Sequence, residues 1–230
     1  MKRYSFALVL LSIMSITACI GANLISGRLG FSGPYVAPMG VFFFPLIYVI
    51  SDVVSDVYGY RVSRWLAWLT LGANLVFVGM MIAVIKIIPC APFAIDVENA
   101  LLLLLIGSSG TAGMIRVVIA GIIGAVMGGW INDIIFQIYR SRDGVDRFIK
   151  RKLLSSAAAE AVDTLVFITI AFMGSPAWGL SMYIVQFILK YGVECITAPI
   201  AKKIANKVRN IEDYDIFEDR NKFNIFGFYK

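Results

Sequence analysis

The sequence predicts an all-α, polytopic membrane protein of six transmembrane helices, and three observations carry that prediction. The 230 residues are 59% hydrophobic and 16% charged, where soluble domains average about 45–50% and 25%. Mean hydropathy is +0.80. The apolar residues fall into six runs, each near the length of roughly 20 residues that crosses a hydrocarbon core of about 30 Å.

The first run covers about Tyr4 to Ile25, the second Met39 to Tyr58 and the third Arg64 to Ile88. The fourth covers about Met114 to Tyr139, the fifth Ser155 to Met173 and the sixth Trp178 to Ala201. Ala100 to Ile106 is apolar but too brief to span. It either lies as a partial helix against the bundle or begins the fourth run before the break at Gly107-Ser-Ser-Gly110. Lys2-Arg3 followed by an apolar core and Ile16-Thr-Ala-Cys19 looks like a lipoprotein signal. Five further spans follow, so the segment reads as a retained membrane helix. The expected division is residues 1–204 as the six-helix membrane domain and residues 205–230 as a mixed-charge cytoplasmic tail.

Lys and Arg set the orientation. Lys2 and Arg3 precede the first run, and Arg61 and Arg64 follow the second. Six basic residues from Arg140 to Lys152 follow the fourth run, and Lys202, Lys203, Lys207 and Arg209 follow the sixth. The alternate loops hold Arg28, then Lys86 with Asp96 and Glu98, then none. Both termini are expected on the cytoplasmic side, since short cytoplasmic loops concentrate basic residues. The net charge of +6 is thus a topology signal, and no nucleic-acid partner is expected.

Acidic residues inside the spans are the most informative feature. Asp52 and Asp56 share one face of the second helix at i, i+4. Asp133 lies in the fourth, Glu160 and Asp163 in the fifth, Lys190 and Glu194 in the sixth. Measured along the helix at about 1.5 Å per residue from the nearest basic anchor, Asp52, Asp133, Glu160, Asp163, Lys190 and Glu194 lie about 10–18 Å deep. Charges on four helices can therefore converge at one level. A charge in hydrocarbon is costly and is read as functional by default, and transporter sites commonly lie near the midplane. One lysine cannot neutralise all of these carboxylates. The rest must be protonated, wetted or matched by a ligand that donates hydrogen bonds. The plainer alternative, that carboxylates near helix ends reach the interface, stays open for Asp56, Asp133 and Glu160 in particular.

Asn23 and Arg116 lie toward the outer ends of the first and fourth helices. Arg116 can equally snorkel to the surface or serve a gate or substrate. Trp130 and Tyr48 are aromatic candidates beside the acidic layer, with packing as the plainer role, as for Phe42 to Phe44. Gly121, Gly124, Gly128 and Gly129 on the fourth helix point to close helix packing.

Phe44-Pro-Leu-Ile-Tyr-Val-Ile-Ser-Asp52-Val-Val-Ser-Asp56-Val-Tyr-Gly59 resembles the signature of the queuosine precursor transporter family. Further resemblances follow in order. Arg116 and Gly129-Trp-Ile-Asn-Asp133 resemble its helix-four Arg and Gly-Gln-x-x-Asp pattern. Glu160-Ala-Val-Asp163-Thr164 resembles its Asp-Thr segment. Lys190, Glu194 and Pro199 resemble its Lys-x-x-x-Glu-x-x-x-x-Pro ending, and Asn23 and Arg28 its residues after the first helix. Trp130 stands where the family usually has Gln, and Glu160 where a smaller or neutral polar residue is common.

The resemblance covers roughly residues 15–205. It implies a six-helix fold similar to the substrate-binding components of energy-coupling-factor transporters. It also implies uptake, across the inner membrane, of 7-deazaguanines such as 7-cyano-7-deazaguanine or its aminomethyl form. The chemistry agrees with that expectation. A guanine-like edge offers two adjacent donors that one carboxylate accepts together, and Asn or Lys can donate to the carbonyl oxygen. Asp163 or Asp52 is expected to read that edge, with Lys190 and Asn23 nearby. Tyr48, Asp56, Arg116, Trp130, Asp133, Glu160 and Glu194 complete the candidate substrate set. Excess carboxylates make proton or ion coupling plausible.

Enzyme readings fare worse. The chain has no histidine and three scattered cysteines, Cys19, Cys90 and Cys195. Zinc or copper sites and the serine–histidine dyad of an intramembrane protease are not expected. The Gly-x-Gly-Asp motif of aspartyl proteases and the Walker A motif are absent, and no cofactor is expected. Lipid and a small-molecule substrate are the expected partners, with a homo-oligomer left open. The alternative function is a substrate-binding membrane subunit for a related purine or vitamin that needs an energising partner.

Overall fold

The structure, a computed structural model, describes residues 5–32, 35–108, 111–143 and 148–212, with backbone alone at 60, 132–134, 136–143, 148–152 and 212. Among the described residues there are seven α-helices: α1 Phe6–Ser26, α2 Phe44–Tyr58, α3 Tyr60–Ile87, α4 Ile95–Ile106, α5 Met114–Asp143, α6 Phe148–Phe172 and α7 Leu180–Glu212. Six stretches are long and apolar enough to cross a membrane: Phe6–Ser26, Met39–Tyr58, Arg61–Ile87, Met114–Ile131, Leu153–Phe172 and Leu180–Ile211. The chain is an all-α, multi-pass membrane protein.

Local chemistry places the helix ends. The Ser5 hydroxyl accepts from Leu8 N at 3.0 Å and caps α1, satisfying one of the orphaned N–H groups of a first turn. Pro45 opens α2, where its missing N–H is not needed. Gly59, at φ 88°, separates α2 from α3; that backbone conformation favours glycine. Asp96 and Glu98 sit in the first turn of α4, matching the positive end of the helix dipole.

Short antiparallel hairpins fill two of the connections, which the hydropathy reading left as loops. Leu29–Ser32 (β1) pairs with Tyr35–Pro38 (β2), and Gly107–Ser108 (β3) with Thr111–Ala112 (β4). The apolar stretch before Gly107 is a separate helix, α4, which begins earlier than expected, at Ile95. Its Leu105 is buried with Val78 of α3 and with Met114 and Val118 of α5. The last helix also runs past the expected Ala201, with Pro199 inside it.

Three apolar clusters hold the helices together. One joins Ile50, Val53, Val54, Val57 and Tyr58 of α2 to Leu66 of α3 and to Ala201 and Ala205 of α7. A second joins Val117 and Ala120 of α5, Phe167, Ile168, Ala171 and Phe172 of α6 and Met182 of α7, with Leu29 and Val36 of the first hairpin against it. The third is the α3–α4–α5 cluster around Leu105. The outward faces carry exposed Phe, Leu and Ile such as Phe6, Leu69, Leu165, Ile188 and Ile196. A soluble protein rarely exposes so much apolar surface, whereas lipid is a suitable solvent for it.

Lipid offers no hydrophobic drive between helices, so polar links matter between α1 and α3. Asn23 Nδ2 donates to Asn74 Oδ1 at 2.8 Å, and Asn74, fully buried, donates to Thr70 O at 2.9 Å. Asn23→Ala leaves the Asn74 oxygen without this donor, an orphan worth about 1–3 kcal/mol. Its thermal midpoint in detergent is expected to fall. The double variant with Asn74→Leu, which removes both groups, should fall by less than the sum of the two single changes.

A buried ion cluster between α2, α6 and α7

The Lys190 ammonium sits at the meeting of three helices. Its residue is 3% exposed. It donates to Asp163 Oδ2 and lies 3.0 Å from Glu160 Oε2. Both carboxylates come from α6 at i, i+3, which puts them on one helix face. From α2, Tyr48 donates its hydroxyl to Glu160 Oε1 at 2.7 Å. The Phe44 ring, one turn earlier on α2, faces the ammonium with its centroid 4.6 Å from Nζ. A cation over an aromatic face is attracted by the ring quadrupole, more so when desolvated. Phe44 and Tyr48 stack on one another at 5.8 Å.

The electrostatics follow from counting charges. One ammonium faces two carboxylates, so with all three ionised the cluster holds one excess negative charge. Burying an unbalanced charge is expensive, and a proton or a ligand cation removes the imbalance. Hydrogen-bond capacity is also left over. Glu160 Oε2 lies close to the ammonium but off the direction of a hydrogen bond, and it is buried without such a partner. The arrangement can bind a polar ligand that brings donors or positive charge.

Glycines on α5 allow this placement. A Cβ added at Gly124 would stand 2.5 Å from Asp163 Oδ1, and one at Gly128 would stand 2.9 Å from Ala159 O and 3.1 Å from Asp163 Cβ. These two glycines let α5 lie directly behind the carboxylate. Gly129 faces the Arg64 guanidinium of α3, and a Cβ at Gly121 meets nothing within 4 Å. The small residues of α5 therefore serve different neighbours, and Gly121 packs against none.

The other sequence candidates are distributed along the bundle. Asp52 is one turn after Tyr48 on the same face of α2, and Glu194 one turn after Lys190 on α7; both are partly buried. Asp56 lies two turns beyond Tyr48, where Arg209 Nη2 reaches Asp56 Oδ2 at 3.2 Å and Asp56 O at 3.0 Å. Arg116 Nε and Nη2 donate to Ile170 O at 2.6 Å and to Met173 O at 2.8 Å. It thereby satisfies carbonyls at the C-terminal end of α6. Asn23 is engaged by Asn74. Trp130 is exposed on α5. The Asp133 side chain lies outside the described residues. Of the sequence candidates, the structure thus brings Tyr48, Glu160, Asp163 and Lys190 into one cluster.

Sequence reasoning assigned Phe44 to packing and did not single out Gln186, which lies one turn before Lys190 on α7 and is 1% exposed. The available signal for Gln186 was a polar amide at i−4 from a buried lysine, on the same face.

Gly124→Ala is expected to lower the thermal midpoint in detergent, by an overpacking cost of about 1–3 kcal/mol. Gly121→Ala meets no neighbour and should leave the midpoint unchanged or raise it, since alanine favours a helix by about 0.8–1 kcal/mol. Equal effects from the two would show that α5 does not bear on Asp163.

Comparison with known proteins follows the same outline. Residues 38–204 match a family described as "Putative vitamin uptake transporter". A relative from Bacillus subtilis (strain 168), named "Probable queuosine precursor transporter", is 23% identical over 180 residues, covering 76% of this chain and 75% of the relative. No solved structure matches. With six membrane-crossing stretches and a family match across most of its length, the chain belongs to the vitamin uptake transporter family and is a membrane transporter.

Proposed function

We propose that this transporter imports 7-deazaguanine precursors of queuosine across the inner membrane, with proton coupling, and binds them at the Lys190 cluster. The observation that carries the reading is the imbalance of that cluster, two carboxylates against one ammonium at a buried position. The name of the Bacillus subtilis relative supports the substrate class. The pairing is chemically direct. A deazaguanine presents a ring N–H and an exocyclic amine side by side, which a carboxylate accepts as a charge-assisted pair. Its carbonyl oxygen accepts from an ammonium. A site built from buried hydrogen-bonding groups rejects ligands that leave them unpaired.

The excess negative charge also gives a way to couple the cycle to protons. An empty cluster is relieved by taking up a proton. A loaded one is relieved by the ligand's donors. Family membership implies that no covalent step is involved.

Uptake of labelled 7-cyano-7-deazaguanine by cells that cannot make it tests the proposal. Cells carrying the wild-type chain should accumulate label. Asp163→Asn and Glu160→Gln should each reduce accumulation by about tenfold or more, the loss of one charged hydrogen bond of roughly 1.5–3 kcal/mol. Purified chain in liposomes should take up label faster when the lumen is the more acid side, since proton and base exchange at one cluster. Uptake by cells but not by such liposomes would assign the energising step to a partner.

Orientation belongs to the same proposal, with both termini in the cytoplasm and the α3–α4 connection outside. Cys90 lies in that connection, beyond the end of α3. A hydrogen bond to Glu98 holds its thiol above the ordinary range. The thiol is the protonated form below its raised pKa, so thiolate chemistry accelerates as pH rises toward it. In a variant lacking Cys19 and Cys195, a membrane-impermeant maleimide should label Cys90 on intact cells, and faster at pH 8.5 than at pH 7. Labelling only after the cells are broken would reverse the orientation.

A further inference from the structure

The last helix outruns the membrane. Its 33 residues, Leu180–Glu212, extend about 50 Å, against a hydrocarbon core of about 30 Å. One face of its final third points inward. Ala201 and Ala205 are buried there with Val57 and Tyr58 of α2 and Leu66 of α3. Arg209, at i+4 from Ala205, continues that row and reaches Asp56. A second face points outward. Ile196, Ile200, Lys203, Ile204, Lys207 and Ile211 recur on it at steps of three, four and seven residues, and all six are exposed.

Trp65 marks the level at which this face leaves the hydrocarbon. It is exposed on α3, next to the Leu66 that packs with Ala201 and Ala205, and tryptophan favours the headgroup boundary. Lys203 and Lys207 therefore stand at that boundary and one turn beyond it. Among the described residues, no ion pair holds either of them, unlike Lys190 and Arg209. Isoleucines continue past the lysines, and Ile211 is 71% exposed. A stripe that interleaves isoleucine with lysine suits neither water nor hydrocarbon alone. It suits the zone where acyl chains meet headgroups.

We propose that Lys203 and Lys207 form a site for the phosphate of an anionic phospholipid, whose acyl chains lie along Ile196, Ile200 and Ile204. One turn apart on one face, the two ammonium groups can approach a single phosphate, which lysine binds as a point charge. Their stems lie against the isoleucines and carry the charge to headgroup level. Basic clusters at the end of a membrane helix recognise anionic lipid in this way. The apolar flank is what selects a lipid over free phosphate. A choline headgroup fits less well, because it brings a cation of its own toward the lysines. The site lies on a different face of α7 from the Asp56–Arg209 contact. It begins about 20 Å along the helix from Lys190, so it does not depend on which substrate that cluster takes.

The test titrates acyl-labelled phosphatidylglycerol into the full chain in detergent, read by energy transfer from tryptophan. Phosphatidylcholine with the same chains is the neutral comparison. Each lysine near a headgroup favours an anionic lipid by about fivefold. Wild type should therefore bind phosphatidylglycerol about 25-fold more tightly than phosphatidylcholine. Lys203→Gln and Lys207→Gln should each remove about fivefold and the double variant nearly all of the preference, with phosphatidylcholine binding unchanged. Lys86→Gln, at the far end of α3 from Trp65, should change neither. Equal binding of the two lipids by wild type, or a preference that survives in the double variant, overturns the site. Displacement of the labelled lipid by inorganic phosphate, at matched ionic strength, would assign the lysines to a free anion instead. A preference that emerges only when Asp213, Asp215, Glu218 and Asp219 are changed to their amides would assign them to the acidic stretch of the chain's own tail. A thermal midpoint lowered by the double variant in phosphatidylcholine would make the two lysines structural. Each of these three results also overturns the lipid site.

Discussion

A lysine buried among membrane helices must be neutralised, and the arrangement of α2, α5, α6 and α7 follows from how this is done. Lys190 does not reach the surface: ten residues into α7, it is 3% exposed. Its neighbours must come to it. Helix α6 supplies two carboxylates at i, i+3, and α2 supplies the Phe44 ring and the Tyr48 hydroxyl. Asp163 can take its place only because α5 presents Gly124 and Gly128 at its back. A side chain at either glycine would displace the carboxylate or the helix, and the ammonium would lose its strongest partner.

The remaining polar links contrast with this cluster in being closed. Asn23, Asn74 and Thr70 pass hydrogen bonds along the α1–α3 seam. Arg116 spends its guanidinium on carbonyls at the end of α6, and Arg209 on Asp56. These contacts tie helices at their ends and flanks. Among the described residues, the buried acceptors without a hydrogen-bond partner, Glu160 Oε2, Thr164 Oγ1 and Gln186 Oε1, fall instead on α6 and α7. Satisfied groups rigidify a bundle, and an unpaired buried polar group is costly. On the proposed function, α6–α7 is the seam at which the ligand is held.

Much of this was legible in the sequence, for a physical reason. Spans are read from hydropathy because lipid forbids unpaired backbone. Intramembrane charges are read as functional because hydrocarbon makes them expensive. Both rules act locally, so Glu160, Asp163 and Lys190 could be placed at one depth from their distance to basic anchors. What depth could not give was azimuth. Asp52 and Glu194 share the approximate level, but whether they face Lys190 depends on helix rotation and crossing, which no single-helix pattern encodes. Asn23 illustrates the same limit, since its described partners, Asn74 and Cys19, lie on α3 and α1. The hairpins at 29–38 and 107–112 were missed because they are too short to carry a periodic signal. Gln186 was missed because a neutral amide costs far less in a span than a charge does, so hydropathy hardly registers it.

On the proposed function, the imbalance of charge at the Lys190 cluster has a consequence for the transport cycle. An importer must bind its cargo on one side and let it go on the other, so neither state of the site can be too stable. A balanced Lys–Asp pair would be content empty and would gain little from a ligand. A second carboxylate changes this, because Glu160 leaves the empty cluster short of one positive charge or one set of donors. A proton and a donor-bearing base then compete for the same deficit, each weakening the need for the other. Two ligands with opposed claims on one site are coupled by linkage, and coupling of that sign favours release of the base inside when the cytoplasmic side offers the proton, so the base enters in exchange for a proton. By this argument Glu160, the residue that departs from the pattern of the resembling family, sets the strength of the exchange. Asp163 and Lys190 hold the frame in which the exchange takes place.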